Sequence, residues 1–219
     1  VNLLHRTVVR QECRHSGEDA VRILGYCMGG TLAAMFTALH PRRVKNPPLL
    51  GAPFHFRSDQ QLYKWGCDRE FFHPKTIVDA CGNAPTWAFQ GFSLLQAGGK
   101  ITKPVPLYDN LDNPAFLESY LAMEQWVGDN IPMAGRLYEE FLPTCWQENQ
   151  LWEGRLELGG RRVVLEDIAC PVLIIVGESD HLVPAETAAP LAERLRDARV
   201  ILFPSGHVGL SVSGNSHKK

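Results

Sequence analysis

The chain has no charge excess: 22 Lys and Arg stand against 24 Asp and Glu, for a net charge of −2. That balance excludes the basic footprint with which proteins hold nucleic acid. No apolar run approaches the roughly 18 residues that a membrane-spanning helix needs, and no secretory signal is read before the first strand. The six cysteines, Cys13, Cys27, Cys67, Cys81, Cys145 and Cys170, include no C-x-x-C pair and no other metal-ligand spacing. Neither a metal nor a cofactor is therefore expected, and the thiols read as reduced cysteines of a cytoplasmic protein. What remains is ordinary globular material: 219 residues, 45% of them hydrophobic, enough for one domain with an elaboration.

The most informative segment runs from Val21 to Gly30, where an apolar run stops at Gly25-Tyr26-Cys27-Met28-Gly29 and a helix-forming sequence follows. A strand, a sharp turn carrying a thiol and a helix give the spacing of the nucleophile elbow, with Cys27 where a serine usually stands. Gly25 and Gly29 are expected to admit the tight turn and the close strand–helix approach. At the start of a helix, free N–H groups and the macrodipole favour an anion, which suits a nucleophilic sulfur. Taken alone, Cys27 is equally readable as a small buried hydrophobe.

Two later segments weigh against that bland reading. Pro171–Val176 is an apolar run of strand length followed by the polar turn Gly177-Glu178-Ser179-Asp180-His181, and Ala198–Phe203 is a second run ending in Pro204-Ser205-Gly206-His207. Asp180 is the candidate acid and His207 the candidate base. An isolated Asp or His in a loop is usually a turn residue or a solvated side chain. Nucleophile, acid and base in this order, each after an apolar strand, match the order of an α/β-hydrolase triad at the edge where open α/β sheets bind ligands.

The fold expected is an α/β-hydrolase with a large, mainly helical cap insertion. Residues 1–56 and 163–219 make the core, and 57–162, rich in aromatics and prolines, make the cap. Leu32, Ala33, Met35, Phe36 and Leu39 mark the helix behind Cys27, which His40-Pro41 ends. Pro47-Pro48 sits awkwardly in the next parallel strand, which should shrink to Leu49–Ala52 or distort. Helices are predicted over Pro114–Asp129 and Ala134–Trp146, and a hairpin around Gly159-Gly160. The first strong strand already bears Cys27, whereas a hydrolase core places several strands earlier; the chain reads as a piece of a longer protein.

With these residues in view, the chain resembles the polyhydroxyalkanoate synthases, specifically the short catalytic subunits of the two-subunit types. The resemblance rests on Gly25-Tyr26-Cys27-Met28-Gly29-Gly30, Leu50-Gly51-Ala52-Pro53-Phe54, Met123-Glu124-Gln125-Trp126, Gly177-Glu178-Ser179-Asp180-His181 and Gly206-His207-Val208-Gly209. Departures are Pro47-Pro48 and Gly98-Gly99. The resemblance implies that Cys27, Asp180 and His207 form a triad, that the backbone N–H of Met28 serves the oxyanion hole with a second donor from an earlier loop, and that (R)-3-hydroxyacyl-CoA is joined into polyester. It also implies an accessory subunit, a homodimer and a location at the polymer granule. Two other readings fit the same residues: an esterase like dienelactone hydrolase, which lacks so large an insertion, and a non-catalytic granule-associated scaffold.

Overall fold

The computed structural model describes residues 2–85, 104–129 and 131–212. Gly98 and Gly99 lie outside the described residues. Helix α1 (Asn2–Ser16) leads into two short strands, β1 (Val21–Arg22) and β2 (Gly25–Tyr26), and then helix α2 (Met28–Leu39). Strands β3 (Val44–Asn46) and β4 (Pro48–Leu50) follow, and after the insertion come β5 (Glu157–Leu158), β6 (Arg161–Arg162), β7 (Val172–Gly177) and β8 (Ala198–Phe203). The main sheet is parallel throughout, in the order β2-β4-β7-β8. The β5-β6 pair is the hairpin expected around Gly159-Gly160. This is the α/β-hydrolase fold, a parallel sheet carrying a helical cap insertion.

Of the two outcomes expected for this strand, shortening to Leu49–Ala52 or distortion, the structure shows the distortion. Pro47 interrupts a longer strand, leaving β3 paired with β1 and β4 paired with β2 and β7. Pro48 opens β4 opposite Leu173, the position where a missing N–H does least harm to a ladder. The Ile23 N–H reaches the Asn46 carbonyl at 3.3 Å, so the two halves keep one line.

Helix α2 is buried from Gly30 to Leu39 except for the half-buried Leu32, as a sequence apolar on almost every face requires. Its two buried threonines are satisfied, Thr31 donating to the Pro53 carbonyl and Thr37 to the Ala33 carbonyl, both at 2.7 Å. On the sheet, Val172, Ile174 and Val176 of β7 are almost fully buried. Leu173 and Ile175 on its other face are half-buried, so the strand is covered on both sides, as its unbroken apolar run requires.

Contacts divide the described residues into two compact units, one running to Arg69 and resuming at Leu142, the other Glu70–Phe141. Helix α3 (Gln61–Cys67) belongs to the first. The second is helical: Pro74–Cys81, Pro104–Asp109, Pro114–Gly128 and Gly135–Phe141. Three of these begin at proline, whose fixed φ suits the first helical position, and Asn113 caps the third by accepting the Phe116 N–H at 3.2 Å. The helix predicted over Ala134–Trp146 stops at Phe141, and Leu142–Gln147 continues as a π-helical turn around Pro143.

Candidate active site

Cys27 follows β2 directly and caps α2, with φ 53° and ψ −131°. A positive φ at a non-glycine residue costs of order 1–3 kcal/mol and persists only where its surroundings impose it. Here they do: the Cys27 N–H bonds the Leu50 carbonyl at 2.9 Å, and the Gly30 N–H bonds back to the Cys27 carbonyl at 2.9 Å. The turn is tight because α2 leaves β2 at once. A Cβ on Gly25 would sit 2.5 Å from the Gly30 Cα, and one on Gly30 would meet the Ala52 Cβ at 2.4 Å. The expectation for Gly29 is corrected, since a Cβ there would meet nothing within 4 Å. Gly25 and Gly30 make the close approach; Gly29 faces outward on the first turn of the helix.

Asp180 sits in the turn after β7 and is buried, with its side chain wholly inaccessible. Oδ1 accepts the N–H groups of Leu182 and Val183, at 2.9 and 2.8 Å. Oδ2 lies 2.7 Å from Nδ1 of His207, in the loop after β8. The two loops are tied together, the Ser179 N–H bonding the Ser205 carbonyl at 3.1 Å and the Glu178 N–H the Phe203 carbonyl at 2.9 Å. The His207 ring also packs on Gly51, where φ is +47° and a Cβ would come within 3.1 Å of Nδ1.

Burial alone would pull the His207 pKa down, but hydrogen bonds to Asp180 and Cys27, with their charges, outweigh it and push it up to about 9. The ring lies in contact with both partners. The structure thus brings together the three side chains singled out in the sequence. Met28 supplies the first N–H of α2, one of the donors a helix start leaves unpaired within the helix. His181, next to the acid, is exposed.

Two tyrosines that sequence reasoning passed over support these loops. Tyr26, the last residue of β2, stacks on the His207 ring with centroids 4.9 Å apart and donates to the His207 carbonyl at 3.0 Å. Tyr63 of α3, almost completely buried, donates to the Leu182 carbonyl at 3.1 Å and so steadies the turn that holds Asp180. Adjacency to Cys27 was the only signal for Tyr26; Tyr63 lies on a seven-residue helix too short to show a period.

Among the described residues no group of three or more His, Cys, Asp or Glu side chains is arranged to hold a metal ion. A cavity of about 370 Å³ lined by Arg6, Arg10, His40 and Arg43, among others, lies at the opposite end of α2 from Cys27. Near it, Arg161 donates to the Leu39 carbonyl at the end of α2, at 2.7 Å, and Arg43 donates to the Asp19 carbonyl at 3.3 Å.

An elbow, an acid and a histidine at one end of a parallel sheet are features of one class of protein. Residues 3–212 match the family described as alpha/beta hydrolase fold, and the chain belongs to it. A solved monoacylglycerol lipase from Paleococcus ferrophilus shares that fold with a TM-score of 0.52 at 14% identity, over 99% of this chain and 69% of its own. Within the class, the chain is homologous over most of its length to poly(3-hydroxyalkanoate) polymerase subunits PhaC. It is 42% identical to that of Haloarcula marismortui over 92% of this chain and 43% of the relative. It is 35% identical to that of Allochromatium vinosum over 93% of this chain and 58% of the relative. The chain therefore spans about half the length of the curated relatives it matches.

Proposed function

We propose that the chain carries the catalytic core of a polyhydroxyalkanoate synthase of the short, two-subunit type, with Cys27 as nucleophile, His207 as base and Asp180 as its orienting acid. The observation that carries this reading is the buried Asp180–His207 pair, at 2.7 Å, interacting with a cysteine held at positive φ. The homology to polymerase subunits supports the choice of reaction. The proposal extends to residues 57–162 as a cap insertion, and to an accessory subunit, a homodimer and a granule-surface location.

In the first step the thiol proton rests on His207, and the sulfur attacks the thioester carbonyl carbon of (R)-3-hydroxyacyl-CoA. The electron pair moves to the carbonyl oxygen, toward which the Met28 N–H donates. Collapse breaks the bond to the CoA sulfur, which leaves with the proton from His207. In the second step the hydroxyl of another hydroxyacyl unit gives its proton to His207 as its oxygen attacks the acyl–Cys27 carbon, forming the ester and returning the thiolate. Asp180 has one oxygen on two backbone N–H groups, the other on His207, and no exposed side-chain surface. We therefore assign both proton transfers to His207.

The test is intact mass spectrometry of the chain after incubation with 3-hydroxybutyryl-CoA. An acyl adduct mapping to Cys27, absent in Cys27→Ala, is expected; an adduct persisting at another residue in that variant overturns the assignment. Soluble hydroxy acid without polymer would favour the esterase reading.

A further inference from the structure

We propose that Tyr26 is a positioning residue for the base: it sets the distance between Cys27 and His207 by tying the strand that carries the one to the loop that carries the other. This rests on the reading of Cys27 and His207 as a working pair. Asp180 fixes only one edge of the imidazole, through Nδ1, and leaves the ring free to swing about that hydrogen bond. The face of the ring needs a second constraint. Tyr26 supplies it with a stacked contact, 4.9 Å between centroids and 24° between planes, while Gly51 closes in on the ring's Nδ1 and Cε1 atoms.

The phenol hydroxyl adds a third constraint. It donates to the backbone carbonyl of His207 at 3.0 Å and also hydrogen-bonds with Ser211, on the short helix Gly209–Val212 that follows the base. Burial pushes the phenol pKa up to about 12, so the group stays a donor across the working pH range. Because Tyr26 is the residue immediately before Cys27, no flexible chain separates the anchor from the sulfur. One side chain therefore transmits the position of β2 to the base, across a loop that no β-ladder joins to β2.

The readout is the rate at which iodoacetamide alkylates Cys27 at one fixed pH, followed by mass spectrometry of the Cys27 peptide so that the other thiols do not contribute. It needs no substrate. An imidazole that takes the thiol proton speeds the attack of the sulfur. In the wild type a His207-dependent rate is expected, and in His207→Ala it is expected to vanish. In Tyr26→Leu, which removes stack and hydrogen bond, the His207-dependent rate should fall by about tenfold, and in the His207→Ala background the same substitution should change nothing. Tyr26→Phe keeps the stack and should recover part of that loss. If His207→Ala matches the wild type, the pairing itself is wrong. If His207→Ala loses the rate while Tyr26→Leu and Tyr26→Phe both keep it, the pairing stands and the role of Tyr26 is refuted. Circular dichroism accompanies each variant, and should Tyr26→Leu not fold, the Tyr26→Phe rate decides: a lowered rate supports the proposal and an unchanged one overturns it.

Discussion

His207 gains more from the folded state as an imidazolium than as a neutral ring, because it contacts Asp180 and Cys27 in a site too buried for water to substitute for them. That preference makes stability depend on pH. The ring's pKa rises from 6.5 to about 9 on folding. Below about pH 6.5 it is protonated in both states and the contribution is complete; between 6.5 and 9 the unfolded chain releases its proton first, and the contribution declines; above about 9 it is gone. Urea midpoints at a series of pH values should fall over that interval in the wild type and fall less in His207→Gln. Cys27 makes the opposite demand on the fold, since its φ of 53° is one that glycine adopts without cost. Replacement by glycine would relieve strain and remove the proposed nucleophile together.

Within the elements, the contrast between neighbouring glycines at the start of α2 offers a sharp test of the elbow. Gly30→Ala drives a methyl to 2.4 Å from the Ala52 side chain and 3.0 Å from the Gly25 carbonyl, and should cost about 1–3 kcal/mol. Gly29→Ala places its methyl in open space on a helix and should be neutral or stabilising by up to about 1 kcal/mol. Urea denaturation of the pair separates a steric constraint from a general intolerance of substitution. The same detail marks the limit of what the sequence discloses. The G-x-C-x-G spacing announces an elbow, yet which glycine meets β2 depends on the angle at which α2 departs, a tertiary quantity. The strands before Asp180 and His207 were legible because β7 is an apolar run up to Gly177 and β8, after Arg199, is apolar from Val200 to Phe203. Pro47 signalled a disturbance in its strand without saying whether pairing would resume beyond it; β4 resumes because β7 offers a full-length partner. Tyr26 and Tyr63 act through contacts between segments distant in the chain, and no local pattern encodes those.

For the molecule as a whole, the candidate site is assembled from the ends of three strands held with unequal strength. Six residue pairs join β7 to β8, and the loops beyond them are bonded to each other, so Asp180 and His207 move together. Two pairs, Gly25 with Leu49 and Tyr26 with Leu50, join β2 to β4, with the Cys27 N–H on the Leu50 carbonyl just beyond them. Amide hydrogen exchange should accordingly be slowest in β7 and faster in β2. The unequal ladders give the site a weakest seam, and it runs between sulfur and imidazole rather than between imidazole and carboxylate. As denaturant rises, the His207-dependent alkylation of Cys27 should fade at concentrations where far-ultraviolet ellipticity is still native. The reverse order, with ellipticity lost first, would mean that the seam is as strong as the sheet. A site built this way behaves as its own strain gauge, reporting when one short ladder slips while most of the molecule is still intact.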